Sequence, residues 1–195
     1  MWDERYASAE YVYGTEPNDF LREAVGQLPV GDVLCLADGE GRNGVWLAGQ
    51  GFRVTSVDAS MVGLGKTRAL AESRGVSLTT VHADLAEFDL GAGRWDAVVS
   101  IFCHLPPPLR RDVHARVVAA LKPGGVLLLE AYHPEQLNFA TGGPPVADLM
   151  MRLADLRAEL PGLEVLHAVE TERDVIEGAG HWGRGAVVQF IARKP

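Results

Sequence analysis

A glycine-rich segment near the start of the chain combines backbone freedom with carboxylate groups. Residues 39–44 read Gly-Glu-Gly-Arg-Asn-Gly, a G-x-G-x-x-G pattern, and Asp38 stands directly before it. Glycines at this spacing permit a tight turn and let the backbone come close to a bound ligand. The pattern is typical of loops that bind a dinucleotide pyrophosphate, but the carboxylates of Asp38 and Glu40 repel such a dianion. The segment therefore predicts a ligand-binding loop of unusually acidic character.

Two further carboxylates follow at the ends of apolar stretches. Asp58 lies about twenty residues after the loop, where an acid typically holds ribose hydroxyls. Asp84 is followed by Leu85, a pair that suits an adenine, because the carboxylate accepts from the exocyclic amine while apolar side chains cover the ring. A dinucleotide and an adenosine ligand without pyrophosphate fit these acids equally well. Their structural alternatives are a solvated strand end for Asp84 and a helix cap for Asp58.

The segments that position these acids alternate between strand and helix patterns. Strand patterns occupy residues 32–37, 53–58, 77–84, 95–102 and 126–132, and helix patterns occupy residues 43–51, 60–75 and 109–125. Strands at this spacing, with helices between them, predict a parallel, doubly wound sheet. Ligands bind such sheets beyond the carboxyl ends of the strands, which is where Asp38, Asp58 and Asp84 lie.

The last third of the chain carries a different pattern. Residues 148–160 read as a helix, and residues 163–176 and 183–195 read as two strands joined by a glycine-rich turn. A short connection makes such strands pair antiparallel. The predicted fold class is therefore α/β and Rossmann-like, with a doubly wound, mostly parallel sheet of seven strands that ends in a C-terminal antiparallel hairpin.

We predict a single domain over residues 1–195 with three parts. Residues 1–30 form a helical lid segment, residues 31–132 form the ligand-binding core, and residues 133–195 form a substrate-side loop, helix and hairpin. Tyr13, beside Gly14, is predicted to contact the ligand or the substrate from the lid. The alternative for Tyr13 is that it anchors the lid to the core.

The carboxylates around the loop favour one adenosine ligand over the dinucleotide. S-adenosylmethionine has no phosphate, and it brings a sulfonium cation and an ammonium group that Asp38 can attract. The length of the chain agrees, since 195 residues leave little room for the separate substrate domain of a dehydrogenase. We therefore predict S-adenosyl-L-methionine as the cofactor.

Several motifs resemble those of class I S-adenosylmethionine-dependent methyltransferases, in that family's order and spacing. The matching stretches are VLCLADGEGRN, VTSVDAS, HADLAEFD, WDAVVSIFCHLP and LKPGGVLLLEAY, which together run from residue 33 to residue 132. The GEGRN segment and the opening MWDERYASAEYVYGTEPNDFL resemble the small tellurite-resistance and thiopurine methyltransferase-like branch. The resemblance implies methyl transfer to a small-molecule acceptor, with S-adenosylhomocysteine as the product.

The predicted cofactor-binding residues come from the lid, the glycine-rich loop and the ends of the first four strands. They are Tyr13, Asp38, Gly39, Glu40, Gly41, Asn43, Asp58, Ala59, Asp84, Leu85, Ile101 and Phe102. Two of them keep a structural interpretation as well, since Asn43 can cap a helix and Glu40 can be solvated.

Two departures from the family pattern affect these predictions. Cys35 occupies the place of the family's acid, and Asp38 occupies the place of the family's cysteine, so we infer that Asp38 takes over the charge role. After the fourth strand, the segment FCHLPPP replaces the Asn/Asp-Pro-Pro-aromatic motif of nucleic-acid amino methyltransferases. This second departure argues against methylation of DNA adenine or of glutamine amides.

Three histidines are predicted to converge on the substrate side of the site. His104 follows the fourth strand, His133 follows the fifth, and His181 lies in the turn of the hairpin. His104 and His181 are the candidate bases or substrate-orienting groups, because histidine takes up a proton near neutral pH. His104 is slightly preferred, because it lies closest in sequence to the end of the fourth strand. The alternative for each is a plain hydrogen bond within a loop. His114, in a helix pattern, is expected on the solvated face.

Composition excludes several classes of partner. The formal net charge is −8 and no basic run is present, which argues against nucleic acid and anionic membranes. Cys35 and Cys103 form no C-x-x-C motif and the histidines show no short spacing, so no metal site is predicted. The polar, acidic N-terminal residues are unlike a signal peptide, and we expect a cytoplasmic monomer or homodimer.

Two other functions remain open at this point. One is a noncatalytic module that binds S-adenosylmethionine or S-adenosylhomocysteine and acts through a protein partner. The other is a small NAD-dependent reductase, for which the G-x-G-x-x-G pattern is the supporting feature.

Overall fold

The computed structural model describes all residues from 1 to 195. The strands are β1 Asp32–Leu36, β2 Arg53–Asp58, β3 Thr79–His82, β4 Trp95–Ile101, β5 Leu121–Tyr132, β6 Glu164–Glu177 and β7 His181–Arg193. The helices are α1 Trp2–Arg5, α2 Asp19–Ala24, α3 Arg42–Gly49, α4 Met61–Ser73, α5 Pro107–Ala120 and α6 Leu153–Glu159.

One seven-stranded sheet runs through the molecule in the order β3-β2-β1-β4-β5-β7-β6. Strands β1 to β5 pair in parallel, and β7 pairs antiparallel with both β5 and β6. This arrangement confirms the predicted α/β fold with a C-terminal antiparallel hairpin. The order reverses between β1 and β4, and such a reversal opens a crevice at the carboxyl ends of the strands.

The central strands are apolar on both faces, and their alternation supplies two separate cores. Leu34 and Leu36 of β1 belong to a cluster of 21 buried residues on one face. Val33 and Cys35 belong to a cluster of 14 buried residues on the other face. Successive strand residues point to opposite faces, so a run without polar residues is what a sheet covered on both sides requires. Cys35 is therefore a core residue.

Several elements are shorter than the sequence pattern predicts. Helix α5 ends at Ala120 and not at residue 125, because β5 already begins at Leu121. Helix α6 covers only Leu153–Glu159 of the predicted 148–160, because Ala147–Leu149 forms a separate 3-10 turn and Met150 and Met151 are buried beyond it. Strand β3 covers only Thr79–His82 of the predicted 77–84. In the loop that follows it, the Oδ1 of Asp84 accepts a hydrogen bond of 2.8 Å from the amide of Ala86.

The N-terminal residues contain the short helices α1 and α2 and a 3-10 turn at Val25–Gln27. Asp3 connects α1 to the start of α4, because its Oδ1 accepts hydrogen bonds from the Ser60 hydroxyl at 2.5 Å and from the Val62 amide at 3.2 Å.

None of the helices has the length and apolar character required to cross a bilayer.

Candidate functional site

A cavity of about 550 Å³ opens at the carboxyl ends of β1, β2 and β4. Its size falls within the range of about 300–1,000 Å³ that is usual for small-molecule sites. The cavity brings together nearly all of the residues predicted from the sequence: Tyr13, Asp38, Gly39, Glu40, Asn43, Asp58, Ala59, Asp84, Leu85, Ile101, Phe102, His104 and His181. Gly41 is the one predicted cofactor-binding residue that does not line it.

The two loop glycines have different tasks. Gly39 lines the cavity at a φ of +58°, and a Cβ there would lie 2.7 Å from the Tyr6 hydroxyl. Gly41 precedes α3 at a φ of +85°, and a Cβ there would lie 2.4 Å from the Thr67 side chain. Only glycine adopts such backbone angles without strain. Gly41 therefore allows α3 and α4 to pack closely, which corrects its predicted place among ligand-contacting residues.

Asp58, the last residue of β2, holds the glycine-rich loop in place. Its Oδ2 accepts a hydrogen bond of 2.8 Å from the Gly39 amide, and its Oδ1 accepts one of 2.8 Å from the Ser60 amide. Burial raises the pKa of Asp58, and these two amide bonds oppose that effect. The carboxylate keeps further acceptor capacity toward the cavity, because each oxygen has two lone pairs.

Asp38 has a structural task in addition to the one predicted. Its carboxylate accepts hydrogen bonds from the Ser56 hydroxyl at 2.5 Å and from the Gly44 amide at 3.2 Å. Burial raises the pKa of Asp38 to about 7. The carboxylate is therefore turned toward the start of α3, and because Asp38 also lines the cavity, its attraction to the cationic groups of the ligand stays a prediction.

Glu40 is bound by groups of the protein itself. Its Oε2 accepts a hydrogen bond of 2.9 Å from the Val12 amide, and its Oε1 pairs with the Lys66 ammonium at 2.7 Å. The side chain is buried, so the alternative of a solvated carboxylate is wrong, whereas its contact with a ligand stays a prediction because Glu40 also lines the cavity. Glu40 joins the N-terminal segment to the loop and to α4.

Asn43 makes a similar connection on the other side of the loop. Its Oδ1 accepts a hydrogen bond of 2.9 Å from the backbone amide of Asn18 at the start of α2. Both asparagines are buried, and Asn43 also lines the cavity. The loop is thus fixed to residues that lie far from it in the sequence.

Strained backbone occurs at two ends of the central strands. Ala37 after β1 has a φ of +48°, and Phe102 after β4 has a φ of +52°. Both residues line the cavity. Non-glycine residues adopt such angles at a cost of about 1–3 kcal/mol, and they cluster at binding and catalytic sites. The strain therefore marks this edge of the sheet as the functional one.

The N-terminal segment supplies lining residues that the sequence analysis did not single out. Trp2 and Arg5 line the cavity beside Tyr6 and Tyr13. The Arg5 guanidinium lies 5.4 Å from the ring centre of Trp2 and 5.5 Å from that of Tyr13. Burial raises the pKa of Tyr6 well above its ordinary value. The closely spaced aromatic and basic residues of MWDERY were the available indication.

His104 is held as a neutral hydrogen-bonding group. Its Nε2 accepts a hydrogen bond of 3.0 Å from the Tyr132 amide, which leaves the proton on Nδ1. Burial, together with the nearby His181, lowers the pKa of His104 to about 3. The predicted slight preference for His104 as the base is therefore corrected, because its acceptor nitrogen is already occupied.

His181 has the opposite arrangement. Its Nδ1 lies 3.4 Å from the Oε2 of Glu177, and the side chain lines the cavity. The ring of Phe102 packs against it at 4.7 Å and that of Tyr13 at 4.6 Å. Burial lowers the pKa of His181, and the Glu177 carboxylate counteracts this effect. Of the two candidate bases, His181 is the one with an available nitrogen.

Two other histidines lie outside the cavity. His133 borders a separate polar cavity beside β6 and β7, where its Nε2 is 3.2 Å from the Arg152 guanidinium, so the predicted convergence of three histidines is wrong. His114 is buried, with its Nδ1 2.7 Å from the Glu159 carboxylate, so its predicted place on a solvated helix face is also wrong.

Across the chain, no group of three or more His, Cys, Asp or Glu side chains is arranged to hold a metal ion.

Comparison with known proteins extends these observations. Residues 33–125 match the family model described as methyltransferase domain. Among curated proteins, no sequence matches this chain.

Solved structures share the fold at low sequence identity. A structure from work on the conversion of a disulfide bond into a thioacetal group during echinomycin biosynthesis has 22% identity and a TM-score of 0.75, over 99% of this chain and 90% of that one. TehB from Haemophilus influenzae has 18% identity and a TM-score of 0.74, over 100% of this chain and 66% of TehB. The N-methyltransferase NodS from Bradyrhizobium japonicum, solved with S-adenosylhomocysteine, has 18% identity and a TM-score of 0.70, over 98% and 96%.

The match over residues 33–125 begins at β1, contains the glycine-rich loop and ends within β5. The solved structures share the fold over almost the whole chain, including the C-terminal hairpin. Together they confirm the resemblance that the sequence motifs indicate: residues 33–125 are similar to a methyltransferase domain, and the chain has the Rossmann-like fold of the solved methyltransferase structures.

Proposed function

We propose that this protein is an S-adenosylmethionine-dependent methyltransferase that acts on a small-molecule acceptor and releases S-adenosylhomocysteine. The observation that carries the proposal is the composition of the cavity. Its lining combines the glycine-rich loop and the acids Asp58 and Asp84 with the rings of Phe102 and His181. Such a combination suits a ligand with a polar nucleoside and a reactive group beyond it.

The residues present fit the cofactor. A Cβ at Gly39 would collide with the Tyr6 hydroxyl, so only glycine lets the loop backbone lie this close to Tyr6 at the wall of the cavity. Asp58 has acceptor capacity for ribose hydroxyls. Asp84 is exposed and is hydrogen-bonded through Oδ1 alone, so its second oxygen can accept from an adenine amine, while Leu85 supplies an apolar surface.

S-adenosylmethionine supplies an activated methyl group when bound, so the protein's task is mainly to bring the acceptor into line. Alignment of this kind contributes about 7–11 kcal/mol in favourable cases. Trp2, Tyr6 and Tyr13 line the cavity on the side of the N-terminal segment. The lid is fixed by Asp3 on Ser60 and by Glu40 on Val12, so the acceptor has to fit beneath it.

A small acceptor is favoured by the leucine side chains and the loop that border the cavity. Leu105, Leu109 and Leu149 line it together with Gly143–Pro145, and a polymer chain would have to displace this loop. The similar structures include an N-methyltransferase and the protein of the disulfide conversion in echinomycin biosynthesis. The activities of these two proteins differ, so the acceptor has to be inferred from the cavity of this chain.

Calorimetry should detect binding of S-adenosylhomocysteine and no binding of NAD. Asp58→Ala should weaken S-adenosylhomocysteine binding by about 1–3 kcal/mol through lost hydrogen bonds. Asp112→Ala is the matched control, because Asp112 is an exposed acid in α5 that pairs with Arg116. Thermal unfolding of both variants shows whether Asp58→Ala remains folded. Binding of NAD in place of S-adenosylhomocysteine would exclude the proposed cofactor.

Turnover distinguishes the enzyme from a noncatalytic binding module. Metabolite extracts incubated with the protein and methyl-labelled S-adenosylmethionine should yield at least one labelled product by mass spectrometry. Heat-inactivated protein is the control. Tight binding of S-adenosylhomocysteine without any labelled product would favour the noncatalytic module.

The protein should not bind nucleic acid at physiological ionic strength. The net charge of −8 repels the phosphate backbone, and binding to that backbone depends on clustered basic residues. A gel-shift assay with duplex DNA and with single-stranded RNA tests this expectation. A shift that weakens as salt is added would contradict it.

A further inference from the structure

Glu177 ends β6 and lies opposite His181 across the hairpin. Its side chain is buried, and four groups surround the carboxylate. Asn18 donates to Oε1 at 2.8 Å, and Arg42 donates to Oε2 at 2.7 Å. Arg173 lies 3.6 Å from Oε1, and the Nδ1 of His181 lies 3.4 Å from Oε2. Glu177 therefore connects the lid, the start of α3 and the histidine of the cavity.

The contact with Glu177 determines where His181 carries its proton. An ionised carboxylate only accepts hydrogen bonds, so the nitrogen that faces it has to be the protonated one. Burial opposes ionisation of Glu177, but the bond to His181 and the charges of Arg42 and Arg173 outweigh it and lower the pKa of Glu177 to about 2. The carboxylate is thus ionised near neutral pH, and His181 is held as the Nδ1–H tautomer with a lone pair on Nε2.

Charged groups surround Glu177, and Asp19 lies 3.9 Å from Arg173 at the edge of this network. The carboxylates of Glu130 and Glu177 face the guanidinium groups of Arg42 and Arg173. A proton taken up by His181 adds one positive charge beside Glu177, and the adjacent carboxylate stabilises it. The other ionisable groups that face His181 are Arg5 from α1, His104 after β4, Tyr13 from the lid and Tyr132 from β5.

The cavity has no free buried cation for an acceptor that enters as an anion. Arg42 is buried but is neutralised by Glu177. Arg5 lies in the exposed helix α1, above the rings of Trp2 and Tyr13. A histidine whose Nε2 has no hydrogen-bond partner within the protein is instead suited to receive a proton.

We propose that Glu177 is a positioning residue that holds the Nε2 of His181 toward the cavity, and that the methyl acceptor enters with a proton on its attacking atom, as a hydroxyl, an amine or a thiol. This inference rests on the proposed methyltransferase function. In the step, the attacking oxygen, nitrogen or sulfur forms a bond to the methyl carbon while the bond from that carbon to the sulfonium breaks. The sulfonium keeps the electron pair, and His181 takes the proton of the acceptor.

Nitrogen NMR of uniformly ¹⁵N-labelled protein saturated with S-adenosylhomocysteine tests the positioning role. The wild-type His181 should show the Nδ1–H tautomer at neutral pH. In Glu177→Gln, the pKa of His181 should fall by about 1–3 pH units, because an opposite charge is removed. Glu177→Asp should largely restore the wild-type value. Glu172→Gln is the matched control, since Glu172 is a half-exposed carboxylate of the same strand that pairs with Arg184.

Each outcome of the NMR experiment has a definite consequence. A wild-type His181 protonated on Nε2 would overturn the positioning role, even if Glu177→Gln failed to fold. An unchanged pKa in a folded Glu177→Gln would overturn it as well. Failure of S-adenosylhomocysteine to bind in calorimetry would count against the proposed function. The tautomer and the pKa can then still be read in the unliganded protein.

Methyl-labelled S-adenosylmethionine and a panel of small probes test the acceptor class. The panel contains phenol, benzylamine and benzyl mercaptan, which carry a proton, and iodide and tellurite, which do not. We expect labelling of at least one of the first three, and a fall of at least about tenfold in its kcat in Glu177→Gln with the KM for the donor kept. Labelling of iodide or tellurite alone, or of none of the panel, would contradict the acceptor class.

Discussion

Replacing Glu130 by alanine should lower the free energy of unfolding by about 3–5 kcal/mol, the usual cost of removing one partner of a buried ion pair. Glu130 of β5 is 0% exposed. Arg173 donates to it at 2.8 Å and 2.5 Å, Asn18 at 2.6 Å and Gln189 at 2.8 Å. The substitution removes the shortest ion pair of the partly buried Arg173 guanidinium, the acceptor of Gln189 and one of the two acceptors of Asn18, so the loss arises from several donors at once.

Equilibrium unfolding in urea measures this loss. The control is Glu164→Ala, which removes a carboxylate from β6 that pairs with Arg193 at 2.6 Å but is 53% exposed. Exposed pairs contribute about 0–1 kcal/mol, so this variant should be close to wild type. A Glu130→Ala protein within 1 kcal/mol of the control, by that same measure, would show that the buried network is dispensable for stability.

His181→Gln should reduce the rate of methyl transfer to a proton-bearing acceptor by about 10²–10⁴-fold, the usual contribution of a general base. Glutamine keeps the approximate size and polarity of the side chain but cannot take up the proton. The affinity for S-adenosylhomocysteine should change little, since the loop and the strand-end acids are untouched. Because burial lowers the pKa of His181, the base is already deprotonated at neutral pH. The wild-type rate should therefore fall only as the pH drops below that lowered pKa.

The rate across pH, measured with the identified acceptor, checks this expectation. His181→Gln should lose the acidic limb of the profile. His104→Gln is the matched control, and it should keep that limb, because the acceptor nitrogen of His104 is occupied by the Tyr132 amide. A wild-type rate in His181→Gln, or loss of the limb in His104→Gln, would reverse the assignment of the base.

Local patterns were sufficient to predict the fold. The apolar runs that end at Leu36, Asp58 and Ile101 have the lengths of buried strands, and the helices between them force parallel pairing. The short turn between Glu177 and His181 in the same way requires an antiparallel hairpin. These features depend on residues that are close together in the chain, and for that reason the sequence reveals them.

The position of the site was also predictable, because the carboxyl ends of parallel strands meet at one edge of the sheet. Gly39, Asp58 and Asp84 each follow or end a strand that the pattern identifies, and all three line the cavity. The lid residues Trp2 and Arg5 were harder to recognise, since no periodic pattern relates the first residues of the chain to the ends of distant strands.

The sequence by itself determined the strands of the sheet and the edge at which the candidate site lies. Only the tertiary structure decided what each polar side chain does there. Asp38 and Glu40 are taken up by donors from β2, α4 and the N-terminal segment, and His104 is neutral because the Tyr132 amide occupies its Nε2. His181 is left available because Glu177 faces its other nitrogen. A hydrogen bond between residues far apart in the chain leaves no periodic trace in the sequence, whereas in a buried site it fixes which atoms carry charge and which carry protons.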